Sequence, residues 1–295
     1  MSAILPPDGT IGLIGPSHAW KADRYAAGRR WLEDQGYRTV EVGLGPPHRY
    51  YAATDAVRAD GLAEALRRPD VHAAWAIRGG SGVTRFLAGL SLDDLPPKPI
   101  LGFSDLTPLL DAWARRGGVA VHAPVVHSLV NTDADSLAHL AALLRGERID
   151  PMVGRSLVDG SATGPLVGGN LAMIAASCGT PYALDARGCI LVLEDIGEHP
   201  YRLERALAQL RDCGGLDGVI GVALGTFSDC GPPESATWSL DDIWREWFAD
   251  RGVPVAMDLP IGHGAANRAF VVRRPATLTD GVLDLDVEAT AARST

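Results

Sequence analysis

Short apolar runs alternate with longer amphipathic segments along this chain, and that rhythm limits the possible folds more than any other feature. "IGLIG" (11–15), "TVEVGL" (39–44), "AAWAI" (73–77), "PILGF" (99–103) and "GVAVHAP" (118–124) each read as strands. Residues 23–36 read as a helix with Tyr25, Trp31 and Leu32 among its apolar positions and Gly36 as its C-cap. Thr54 is placed to cap a second helix that runs toward Arg68. Strands separated by helices argue for right-handed βαβ units and a mostly parallel sheet. Residues 1–130 are therefore expected to form a flavodoxin-like α/β domain.

The second half has a different rhythm. Residues 131–163 carry a helical pattern near 136–145, then Pro151 and Gly160, and are read as a linker. Beyond it, residues 164–295 are expected to form a mixed α/β domain with a β-rich end. "CILVLE" (189–194) and "GVIGVALGTF" (218–227) read as strands. Leu203, Leu207 and Leu210 stand at helical spacing between them. "AFVVRRPATLTDGVLDLDV" (269–287) suggests a hairpin turning at Asp280-Gly281.

Composition excludes several classes. A length of 295 residues suits about two domains. The net charge of −9 is scattered, with no basic stripe, which argues against nucleic acid as a partner. The longest uncharged stretch, Gly160 to Leu184, is broken by Gly, Pro and Asn and is too polar to span a membrane. "MSAILPPDGT" lacks the basic and apolar regions of a signal peptide, so a cytoplasmic location is expected. Cys178, Cys189, Cys213 and Cys230 show no metal-ligand spacing and no disulfide framework, and Cys189 opens an apolar run as a core thiol would. No metal or cofactor is expected: there is no H-E-x-x-H, and "RGGSG" (78–82) is neither a P-loop nor a dinucleotide fingerprint.

Ligands of open parallel sheets bind beyond the carboxyl ends of the strands. Three runs here end in polar or Gly-rich points: "RGGSG", Ser104-Asp105, and Glu194-Asp195. Ser104 has two readings. It can cap the helix that follows, or it can stand on a strand-to-helix turn as a nucleophile, although G-x-S-x-G is absent. Ser81 is a rival nucleophile in a less oriented loop. A nucleophilic serine needs a base, and the base needs a carboxylate. His263 stands out among eight histidines because glycines flank it in "PIGHGAAN" (260–267). His18, His48, His72, His139 and His199 are expected at the surface, and His122 and His127 in structural roles. Glu194 is the preferred acid, because a carboxylate emerging from an apolar run needs a partner. Asp195 and Glu198 are rivals, and an ion pair of Glu194 with Arg202 or Arg205 is the structural alternative.

At these residues the chain resembles the LD-carboxypeptidases, serine peptidases that include muramoyl-tetrapeptide carboxypeptidases and microcin immunity peptidases. The matching pieces are "IGLIGPS" (11–17), "AIRGGSG" (76–82), "GFSD" (102–105), "HAP" (122–124), "GPLVGGNL" (164–171), "LVLEDIGEHPYRLERALAQL" (191–210) and "PIGHGAAN", in family order. The resemblance implies a Ser104-His263-Glu194 triad, with oxyanion donors at the backbone N–H of Gly80 and Asp105. It implies a nucleophile-bearing N-terminal domain, a C-terminal domain carrying the other two residues, and a homodimer. It also implies release of a terminal D-Ala from a muropeptide, for whose carboxylate Arg78, Asn170 and Arg202 are candidate partners. Ser81 departs from the aromatic residue the family often has there, and Ala123 from its frequent glycine. The alternatives are a related peptidase acting on a peptide–nucleotide, and a noncatalytic two-lobed binder of small molecules.

Overall fold

The computed structural model describes residues 2–285. Two compact units divide the chain. One runs to Arg148 and takes back Ala269–Val272; the other holds Ile149–Arg268 and the described residues from Arg273 on.

The first unit comprises β1 (Thr10–Ile14), α1 (Ala22–Asp34), β2 (Arg38–Glu41), α2 (Asp55–Arg67), β3 (Ala73–Ala76), α3 (Thr84–Leu87), β4 (Ile100–Gly102), α4 (Thr107–Arg115), β5 (Ala120–His122) and α5 (Ala134–Arg145). Its sheet runs β2-β1-β3-β4-β5, all parallel, and Phe270–Val271 adds antiparallel to β5. That order is the flavodoxin-like one, with the topological switch between β1 and β3. The fold expected for the first half is the fold found. Every residue of β3, β4 and β5 is buried, which explains why their runs are apolar without alternation.

The segment read as a linker is structured. Asp133 caps α5 by accepting a hydrogen bond from the Ser136 N–H at 2.7 Å, and Gly146 ends the helix at φ +71°. Leu140, Leu143 and Leu144 bury one face of the helix, which ties it to the first unit. The division between units falls after Arg148, and residues 152–163 already belong to the second sheet. His139 corrects its surface expectation: it is 7% exposed, and its Nε2 lies 2.8 Å from the Ala269 carbonyl.

The second unit comprises β6 (Met152–Val153), β7 (Arg155–Val158), β8 (Ser161–Asn170), α6 (Leu171–Ala176), β9 (Ile190–Ile196), α7 (Pro200–Asp212), β10 (Gly221–Ser228), α8 (Leu240–Phe248) and β11 (Val255–Met257). The Phe270–Val271 strand is β12 in chain order, followed by β13 (Pro275–Thr279) and β14 (Val282–Asp284). The sheet order is β6-β14-β13-β8-β9-β10-β11-β7. Only Gly154 separates β6 from β7, so the two edges of the sheet are neighbours in the chain and the sheet must curl into a barrel-like form. A Cβ at Gly154 would stand 2.1 Å from the Met257 carbonyl oxygen, which leaves room for glycine alone. The expected hairpin is present: Asp280 and Gly281 join β13 to β14 with φ of +46° and +86°. Residues 286–287 of that stretch lie outside the described residues. Leu203, Leu207 and Leu210 of α7 bury into a cluster with Leu191, Leu193, Val222 and Trp244. No helix among the described residues is long and apolar enough to cross a membrane.

Candidate active site

In the first unit the site is the turn after β4. Phe103 is extended, and Ser104 then enters the left-handed region at φ +63° and opens a 3-10 turn (Ser104–Leu106) that continues into α4. Such a conformation costs an L-residue about 1–2 kcal/mol and persists only where the surroundings enforce it. The capping reading fails here. Ser104 lies inside the first turn, and the N-cap positions belong to Phe103 and Leu106, neither of which makes a side-chain cap. Ser104 is half-buried.

The "RGGSG" loop after β3 lies against this turn. A Cβ at Gly79 would come within 3.1 Å of the Ser104 Cβ and 3.3 Å of its Oγ. Gly80 sits at φ +112°, where a Cβ would meet the His18 ring at 2.7 Å. The loop can pass this close only because it lacks side chains. Ser81, the rival nucleophile, is exposed.

Asp105 is 1% exposed and binds three loops together. Its Oδ2 accepts from the Ser17 hydroxyl at 2.6 Å, in the loop after β1, and from the Val83 N–H at 2.9 Å, beyond "RGGSG". Burial raises its pKa, opposed by the hydrogen bonds from Ser17, Val83 and Gly82 and by the charge of Arg58. Arg58 is itself 2% exposed, donates to the Pro16 carbonyl and to Asp55, and lies under Tyr51 and Phe86. Sequence reading missed Ser17 and Arg58. Ser17 closes the quoted "IGLIGPS"; Arg58 lies in the first turn of α2 and carries no local signal.

In the second unit β9 delivers two adjacent carboxylates to opposite sides. Glu194 is 0% exposed and its Oε2 accepts from the His263 Nδ1 at 2.7 Å. Asp195 accepts from Asn170 Nδ2, from the Ala172 N–H and from the Ile196 N–H, each at 2.9 Å. Burial raises the Asp195 pKa, against these bonds. Strand alternation separates the two carboxylates, and the hydrogen bonds show which one meets the histidine. Glu198, the other rival acid, pairs with Arg202 at 3.5 Å.

The "PIGHGAAN" loop is closed on itself and tied to β10. The Arg268 N–H donates to the Pro260 carbonyl at 2.7 Å, the Gly262 N–H to Asn267 Oδ1 at 3.2 Å, and the Thr226 N–H to the Ile261 carbonyl at 2.7 Å. Gly262 has φ +128°, and a Cβ there would meet Thr226 Oγ1 at 2.5 Å and Glu194 Oε2 at 2.8 Å. The glycine therefore makes room for the Glu194–His263 contact. Burial lowers the His263 pKa, but the hydrogen bond and charge of Glu194, with the charge of Asp195, outweigh it and raise the value above 6.5.

The three expected carboxylate partners stand apart in character. Arg78, half-buried at the end of β3, donates to the Ala19 carbonyl. Asn170 is 5% exposed and caps α6 by accepting from the Met173 N–H at 3.1 Å. Arg202 is exposed and pairs with Glu198.

A sequence model of the LD-carboxypeptidase N-terminal domain matches residues 11–123, and one of the C-terminal domain matches residues 163–278. The chain belongs to the LD-carboxypeptidase family. It is 38% identical to the murein tetrapeptide carboxypeptidase of Pseudomonas aeruginosa, over 92% of this chain and 94% of that one. It is 31% identical to a probable murein peptide carboxypeptidase of Bacillus subtilis, over 95% and 92%. Among solved structures it resembles the muramoyltetrapeptide carboxypeptidase of Oxalobacter formigenes at 30% identity, with a TM-score of 0.84 over 93% and 97% of the two chains. A microcin C7 self immunity protein shares the fold at 20% identity, with a TM-score of 0.84 over 97% and 98%. By family the chain is a serine-type carboxypeptidase, and the Ser104 turn and the Glu194–His263 pair lie within the two matched domains.

Proposed function

We propose that this LD-carboxypeptidase releases the terminal D-Ala of a muropeptide tetrapeptide by a Ser104-His263-Glu194 mechanism. His263 takes the hydroxyl proton as the Ser104 oxygen attacks the carbonyl of the L,D-peptide bond. Glu194 fixes the imidazole tautomer and stabilises the imidazolium. The backbone N–H groups of Gly80 and Asp105 receive the oxyanion, a contribution of about 3–4 kcal/mol for each donor. His263 then hands its proton to the leaving amine, and water attacks the acyl-enzyme with His263 again as base. Arg78, Asn170 and Arg202 are proposed to meet the terminal carboxylate of the substrate.

The observation that carries this reading is the 2.7 Å bond from His263 to a carboxylate with no solvent exposure. A buried acid that orients a histidine is what a weak nucleophile requires. The names of the relatives supply the substrate class. The test is D-Ala release from purified tetrapeptide by the wild-type chain and by Ser104→Ala. The variant is expected to keep its melting temperature and lose at least about 10⁴-fold in kcat. Retained turnover would exclude Ser104. A wild-type enzyme that ignores the tetrapeptide but cleaves a peptide–nucleotide would replace the substrate and leave the mechanism standing.

A further inference from the structure

Cys178 follows the end of α6, Cys213 caps the end of α7, and their sulfurs lie 2.9 Å apart although 35 positions separate them. The helices already touch here: Gln209 Nε2 of α7 donates to the Ala175 carbonyl of α6 at 2.8 Å. Both cysteines line a cavity of about 390 Å³, shared with Gly179, Asp185, Arg187 and Asp217. Cys213 is exposed and Cys178 is half-buried, whereas Cys189 and Cys230 are buried. Among the described residues no set of three or more His, Cys, Asp or Glu is placed to hold a metal ion.

We infer that Cys178 and Cys213 form a redox-active pair that a peroxide converts to a disulfide joining α6 to α7. The exposed Cys213 thiolate attacks the peroxide O–O bond. Its sulfur becomes a sulfenic acid, two electrons pass to the peroxide, and water or alcohol leaves after protonation. The Cys178 sulfur then attacks the Cys213 sulfur. The S–S bond forms, the S–O bond breaks, and hydroxide departs as water with the Cys178 proton. Burial, then the contact with Cys213, pushes the Cys178 pKa up to about 12, so the exposed partner reacts first. Reaching the ~2.05 Å of a disulfide from 2.9 Å needs less than an ångström of movement. The bond would close a long loop and so restrict the unfolded chain.

The full chain, treated with dilute hydrogen peroxide and compared with a sample kept in reductant, tests this. The expected product has lost two hydrogens, yields one linked Cys178–Cys213 peptide, and returns to the starting mass with reductant. Its melting temperature is expected to rise by about 5 °C or more. C178S and C213S should each abolish the link, while C189S preserves it. Since neither cysteine belongs to the proposed triad, reduced C178S should release D-Ala at the wild-type rate. Peroxide that drives Cys213 to sulfinic or sulfonic acid while Cys178 stays alkylatable would overturn the proposal. So would a link to Cys189 or Cys230, or a linked protein that melts no higher than the reduced one.

Discussion

The turn after β4 and the end of β9 are built on one plan with different backbones. Each places two consecutive residues at the end of a buried strand: Ser104 with Asp105, and Glu194 with Asp195. In each pair the first residue is the one proposed to do chemistry. The second is a buried aspartate that holds neighbouring loops through hydrogen bonds. The difference lies in the first member. Glu194 stays within β9, in register with Asn170 of β8 while β10 bulges opposite it between Leu224 and Phe227, and alternation separates it from Asp195. Ser104 leaves the strand in a left-handed conformation, held by a turn that glycines allow Gly79 and Gly80 to approach. A side chain that only orients a partner can stand on extended strand backbone, whereas one that must present an attacking oxygen requires a left-handed turn.

Substitutions can break this parallel at each point. After Ser104→Ala, the largest effect is expected at Glu194. Glu194→Gln should lower kcat by about 10³–10⁴-fold, because the amide no longer stabilises the imidazolium. Its pH profile gives a second readout. The base must be neutral, so the acid limb of kcat/KM in the wild type lies above the ordinary 6.5 of histidine. Without Glu194 the raising causes are reduced and burial lowers the value, so the limb moves to lower pH. The stability sign runs the same way. A raised histidine pKa adds stability that is complete below about 6.5 and fades as pH rises through the folded value. The stability gap between wild type and Glu194→Gln should therefore be widest in mildly acidic buffer, as urea titrations at several pH values will show.

Asp195→Ala is expected to act on the scaffold instead. It leaves the Asn170 amide and the Ala172 N–H without their acceptor, at a cost of about 3 kcal/mol in a chemical denaturation experiment. Asp105→Asn should do its damage through the loops that Ser17 and Val83 anchor. A kcat lowered about 10–100-fold with KM little changed would mark Asp105 as a positioning residue. Equal loss in an Asp105 and an Asp195 variant, with no kcat–KM split, would show the two aspartates to be plain structural braces. The smallest effect separates the backbones: Ser104→Gly should be more stable than Ser104→Ala by about 1 kcal/mol, since glycine enters the left-handed region freely. A matching pair of variants at Glu194 should show the reverse order, because glycine weakens a strand.

Much of this molecule is legible in the residue order because its strands are local apolar runs and its helices local amphipathic ones. β1 to β5, α7 and the Asp280-Gly281 turn follow from patterns a few residues long. The seven family pieces point to the carboxypeptidase family for the same reason: each is short and contiguous. Other features depend on groups far apart in the chain. The choice between Glu194 and Asp195 needed the position of His263, 69 residues away. The Asp105 network needed Ser17, 88 residues away, and the contact of Cys178 with Cys213 needed two helix ends to meet. The return of β12 to the first sheet, the curl of the second sheet at Gly154 and the burial of His139 are also long-range results. Sequence sets which elements form, through backbone propensity and apolar spacing. Only packing brings distant polar atoms within hydrogen-bond reach, because that distance depends on every element between them.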